Sequence, residues 1–108
     1  MIKTHDQYLT FLNEFNLVTS ETLLELANDE DKIVRMHVAY NPNTPVSALE
    51  KLSTDKNWVV RRNVAWNSNA PVNLLEKLST DSNDHVRRHV AENPNSPARL
   101  FPISTKNP

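Results

Sequence analysis

The chain has 108 residues, 38% of them hydrophobic and 23% charged, with a formal net charge of −1 and neither cysteine nor glycine. That length suits one small domain. The lack of cysteine excludes disulfides, thiolate nucleophiles and cysteine-ligated zinc or iron–sulfur centres, and no run of about 18 apolar residues is present to span a bilayer.

The near-zero total conceals an asymmetry. From Met1 to Asp31 seven acids stand against one lysine, whereas from Lys32 onward eleven bases stand against six acids. Such a dipole steers an anionic partner toward one end, but the basic excess is smaller than nucleic-acid-binding domains usually carry. The opening MIKTHDQYLT has neither the apolar stretch nor the small-residue cleavage site of a secretory signal, so a cytoplasmic location is the expectation.

In chain order, residues 1–18 come first. Tyr8, Leu9, Phe11, Leu12 and Phe15 have helical spacing there and predict an N-terminal capping helix. From Thr19 the sequence repeats. Asn41, Asn67 and Asn93 are 26 residues apart, as are Pro45, Pro71 and Pro97, and the same register holds Leu23/Leu49/Leu75/Phe101, Leu26/Leu52/Leu78, Val34/Val60/Val86 and Val38/Val64/Val90. The units read 19–44, 45–70 and 71–96, and 97–108 forms a truncated C-terminal cap in which Leu100 with Phe101 or Ile103 packs down before the end frays.

Each unit is expected to hold two short helices. Leu49 and Leu52 lie on one face of a first helix that begins at Pro45, with Thr44 and Ser96 as N-caps and Ala70 as a poor one. After LST, Asp55 is the expected N-cap of a second helix, KNWVVRRNVAW, whose buried stripe is Val60 and Val64. Asn67 is expected to stop that helix in the left-handed conformation, with the nearby proline forbidding continuation. Neither helix buries its stripe alone, so the units should stack into an all-α, right-handed α-solenoid.

The recurring Leu-x-x-Leu, Asp, Val-Arg, Val-Ala and Asn-Pro pattern, seen in LEKLSTDKNWVVRRNVAWN, resembles the leucine-rich repeat variant family, which is akin to HEAT and armadillo repeats. The resemblance spans about Thr19 to Phe101. It implies a superhelix of alternating α-helices and shorter, sometimes 3₁₀, helices, and it implies fold more than activity. Two features differ: some members carry a cysteine-ligated iron–sulfur cluster before the repeats, and family repeats are often slightly shorter.

Candidate functional residues fall into two sets. Arg35, Arg61 and Arg87 follow Asp29, Asp55 and Asp81 by six positions in every unit. As in HEAT-like stacks, this recurrence points to a structural ladder of arginines reaching aspartates or helix-end carbonyls, with phosphate binding as the alternative. The second set is where units disagree. On the second helices Lys32/Met36/Tyr40, Trp58/Arg62/Trp66 and Asp84/Arg88/Glu92 lie opposite the buried valines and form a grid. Tyr40, Met36, Trp58, Arg62, Trp66 and Arg88 are its candidate partner-binding residues, because tryptophan, tyrosine and arginine dominate binding hot spots. Of the two tryptophans, Trp58 is expected to be the more exposed; the alternative is that one or both fill a junction between units.

His85 and His89 stand at i and i+4, but HVRRH lacks the glutamate of HExxH and a third ligand, so no metal and no cofactor are expected. Neither a Gly-rich phosphate loop nor a nucleophile motif is present, which argues against an enzyme. The expected role is a monomeric protein-interaction module, an adaptor or inhibitor of bacterial or phage origin. The alternative is a nucleic-acid binder that uses the arginine and tryptophan surface, by analogy with HEAT-like DNA glycosylases.

Overall fold

The computed structural model describes residues 19–100, and the expected capping helix over 1–18 and the cap residues beyond Leu100 lie outside them. Within the described residues the chain is all-helical: α1 (Ser20–Leu26), α2 (Lys32–Tyr40), α3 (Val46–Leu52), α4 (Trp58–Trp66), α5 (Val72–Leu78), α6 (Asp84–Glu92) and a 3₁₀ turn (Ala98–Leu100). The first helix of each pair is a seven-residue α-helix rather than a 3₁₀ segment. Alternate helices pack in order, α2 on α4, α4 on α6 and α1 on α3, and each helix also contacts the next along the chain.

The core follows the 26-residue period. Leu23, Leu49 and Leu75 from the first helices meet Val34, Val60 and Val86 and Val38, Val64 and Val90 from the second, all essentially inaccessible to solvent. Burying each such side chain contributes roughly 1.5–3 kcal/mol. Met36 and Leu100 pack against this cluster from its edge. Ala39 and Ala65 are buried where the following second helix lies over them, whereas Ala91 at the same register on α6 is exposed.

Helix boundaries correct three expectations. Asp55 is not the cap of α4. Asn57 is, its side-chain carbonyl accepting from the backbone N–H groups of Val59 (2.9 Å) and Val60 (3.4 Å), and Asn83 does the same for α6. Asp31 caps α2 by accepting from Ile33. With an asparagine two residues on to cap the helix, Asp55 and Asp81 are released for the contacts described below.

Thr44 and Ser96 are not N-caps either. Pro45 and Pro71, in extended backbone conformation, occupy the cap positions of α3 and α5 without a side-chain capping bond. The Thr44 and Ser96 hydroxyls reach backward instead, donating to the carbonyls of Val38 (2.5 Å) and Val90 (2.6 Å) near the ends of α2 and α6.

Nor does asparagine end a helix in the left-handed region. Asn41, Asn67 and Asn93 have φ between −73° and −68° and ψ between 125° and 127°, which is extended backbone open to most residues. What demands asparagine is its amide. The Asn67 Oδ1 accepts from the backbone N–H of Asn69 (2.7 Å), closing a tight turn, while Nδ2 donates to the carbonyls of Ala39 (2.8 Å) and Asn41 (2.9 Å) in the preceding unit. Asn93 repeats the pattern on Asn95, Ala65 and Asn67. Aspartate offers only the acceptor and glycine offers neither group.

Candidate interaction surface

Two kinds of side-chain construction have different duties in the molecule. The first joins units. Arg35 donates through Nε and Nη2 to the two carboxylate oxygens of Asp55, at 2.7 and 3.3 Å, twenty residues ahead; its Nη1 donates to the carbonyls of Asp29 and Glu30 at 2.8 and 3.0 Å. Arg61 pairs the same way with Asp81, at 2.8 and 3.1 Å, and with the carbonyl of Asp55 at 2.7 Å. These planar, two-pronged contacts exploit a geometry that lysine lacks.

The pairs are largely sheltered, with side-chain exposures of 11% and 9% for the first and 16% and 9% for the second. The Asp55 hydrogen bond, against the cost of burial, raises the Arg35 guanidinium above its ordinary value, with the charges of Asp55, Asp29 and Asp31 adding to it. Burial pushes the Asp81 carboxyl up, but the Arg61 hydrogen bond, the Asn83 N–H and the charges of Arg61 and Arg87 outweigh it and hold the group below the usual range. Arg87, at the same register, is exposed and donates to the Asp81 carbonyl at 2.5 Å. The candidates Asp29, Asp55, Asp81, Arg35, Arg61 and Arg87 are thus placed in one hydrogen-bonded series.

The second construction is the outward row of α2, α4 and α6. Tyr40 and Trp66 are 51% and 48% exposed, and their rings stack with centroids 4.5 Å apart and planes 13° from parallel. Trp58 stacks on His85, with centroids 5.1 Å apart and planes 22° from parallel, and the Arg62 guanidinium lies 5.6 Å from the Trp58 ring centroid. Arg62 also donates to Asn63 Oδ1 at 3.2 and 3.3 Å, and the Asn63 amide donates to the carbonyl of Met36 at 3.0 Å, so α4 is tied to α2 beneath the guanidinium.

The sequence-selected residues are therefore brought together unevenly. Trp66, not Trp58, is the more exposed indole, because Trp58 at 36% exposure is covered by His85 and Arg62. Met36 and Arg62 are half-buried, whereas Arg88 is exposed. Each tryptophan both reaches across to the neighbouring helix and keeps substantial area in water.

Sequence reasoning missed His85 as a stacking partner and the asparagine amides as clamps between units. The second had a signal: asparagine recurs at 43, 69 and 95 as well as 41, 67 and 93, which is more than a helix stop requires. Asn69 and Asn95 donate to carbonyls of the preceding unit too.

Shallow grooves flank the Tyr40–Trp66 stack. One, of about 250 Å³, is lined by Met36, His37, Tyr40, Val59, Arg62 and Asn63; the other, also of about 250 Å³, lies against Trp66 on the α6 side. Among the described residues no three His, Asp or Glu side chains gather as a metal site, and no helix is long and apolar enough to cross a membrane. Compared with protein-family models, curated proteins and solved structures, the chain finds no match.

Proposed function

We propose that this chain is a non-catalytic protein-interaction module: a right-handed α-solenoid of three units, 19–44, 45–70 and 71–96, related to the leucine-rich repeat variant and HEAT-like repeats, that receives a partner protein on the outward row of its second helices. The solenoid reading is supported by hydrogen bonds that recur with the 26-residue period, Arg35 to Asp55 and Arg61 to Asp81, and Asn67 to Ala39 and Asn93 to Ala65. These bonds commit the recurring polar side chains to holding units together. The variable ones are left for recognition.

The observation that carries the functional reading is the exposed Tyr40–Trp66 stack. Two large rings stacked on each other present apolar area to solvent, and side chains with few rotatable bonds lose little entropy on binding, which is what hot spots require. Nucleic acid fits less well, since the third row of the surface brings Asp84 and Glu92 beside Arg88.

The test begins with a partner captured from the native host and purified, and compares its affinity for the wild type and for a Tyr40→Ala/Trp66→Ala double variant. The expected outcome is a loss of at least about tenfold with unchanged circular-dichroism melting. Equal affinity would refute the assignment of the surface. Steep loss of binding with rising salt, together with tight binding to a generic duplex, would move the assignment to nucleic acid.

A further inference from the structure

The column of positions 40, 66 and 92 reads Tyr40, Trp66, Glu92 across α2, α4 and α6. Tyr40 covers one face of the Trp66 indole. On the other side, where a third aromatic would continue the stack, stands a glutamate, and there the groove lined by Trp66, Ser68, His89, Glu92, Asn93 and Pro94 opens. Its volume of about 250 Å³ falls below the roughly 300–1,000 Å³ of small-molecule pockets and suits one side chain.

Two of its lining residues are tied down by hydrogen bonds. Asn93 is clamped to Ala65 and Asn67, and His89 Nδ1 lies 2.9 Å from the His85 carbonyl. Glu92 is the lining residue with a formal charge at neutral pH, and it forms no ion pair with any described residue.

Building on the interaction surface proposed above, we infer that this groove receives a basic side chain of the partner, an arginine, whose guanidinium lies against the open face of Trp66 as a third layer and pairs with the Glu92 carboxylate. A planar delocalised cation satisfies both walls together: it stacks on the indole face, and its N–H fork matches a carboxylate. An apolar side chain gains nothing from the exposed Glu92 carboxylate, and an acidic one is repelled by it.

The experiment uses the full chain and N-acetyl-arginine N-methylamide as probe, following the Trp66 indole N–H cross-peak by NMR, assigned through Trp66→Phe. The citrulline analogue, of the same shape but uncharged, and adenosine monophosphate, which stacks but carries negative charge, serve as comparison probes. The Trp66 peak is expected to move saturably in the millimolar range of a single side chain, with the citrulline analogue at least fivefold weaker. Glu92→Gln is expected to weaken the arginine probe at least fivefold and to leave the spectrum otherwise that of the folded protein.

No saturation with the arginine probe, equal binding of the citrulline analogue, or tighter binding of the nucleotide overturns it, the last in favour of nucleic acid. If the arginine probe fails while the Tyr40→Ala/Trp66→Ala variant still loses its partner, the basic side chain is wrong and the surface stands. If the probe binds as predicted but that variant keeps its partner, the groove stands and the wider surface falls.

Discussion

Asn67 combines two roles that no other side chain of its size performs together, closing the turn to Asn69 and donating to two carbonyls of the unit before it. Asn67→Asp keeps the acceptor but sets an anion against those carbonyls, and Asn67→Gly removes both groups. Each is expected to cost about 2–4 kcal/mol in urea denaturation. A tolerated glycine would restore the left-handed helix stop that the extended backbone contradicts. Arginine positions should separate by context. Arg61→Ala leaves the sheltered Asp81 carboxylate with only the Asn83 N–H and the charge of Arg87 and is predicted to cost about 2–3 kcal/mol, whereas Arg87→Ala, at the exposed end of the series, should cost under about 1 kcal/mol. Asp81 also sets a pH dependence. Its folded pKa lies below the unfolded value, so its contribution is complete above the ordinary aspartate value of about 4 and is lost as pH falls through the lower, folded value. Stability measured across that acid range should fall less steeply in Arg61→Ala than in the wild type, because the depressed pKa depends on the Arg61 hydrogen bond.

At the scale of the element, one helix end lacks what its counterparts have. Thr44 and Ser96 bond back to α2 and α6, but Ala70, buried at the same register, leaves α4 without that hydroxyl contact. Ala70→Ser is expected to stabilise the protein by about 0.5–1 kcal/mol, and Thr44→Ala to destabilise it by a similar amount, in thermal melts. A loss of stability in Ala70→Ser would show that the buried site cannot admit the extra oxygen. Helix pairs and buried valines were legible in the sequence because periodicity reports burial directly: Val60 and Val64 recur in every unit and are inaccessible in the structure. Caps were misplaced by two residues because Asp55 and Asn57 are both good caps by type. In all three units the aspartate instead accepts from the backbone N–H of the cap residue two positions on, a turn that residue type alone does not announce. Likewise the exposure of Trp58 could not be read from its own helix, since His85, which covers it, belongs to the next one.

For the whole molecule, the division of labour between recurrent and variable residues is the claim from which the functional reading grows. Recurrent Arg35, Asp55, Arg61, Asp81, Asn67 and Asn93 bond across to neighbouring units, and variable Tyr40, Trp58, Trp66, Arg88 and Glu92 keep area in water. A competing surface exists on the first helices, where Leu24, Val46 and Val72 are each about two-fifths exposed, at 39%, 39% and 41%. These aliphatic side chains lack the ring stacking and planar donors of the other face. Oxidative footprinting of the partner complex by mass spectrometry sets the two surfaces against each other in one experiment. Partner binding is expected to protect Tyr40, Trp58 and Trp66 from oxidation while Leu24, Val46 and Val72 react as in the free protein; protection of the aliphatic set with unchanged reactivity of Tyr40 and Trp66 would contradict the assignment of the surface to the second helices.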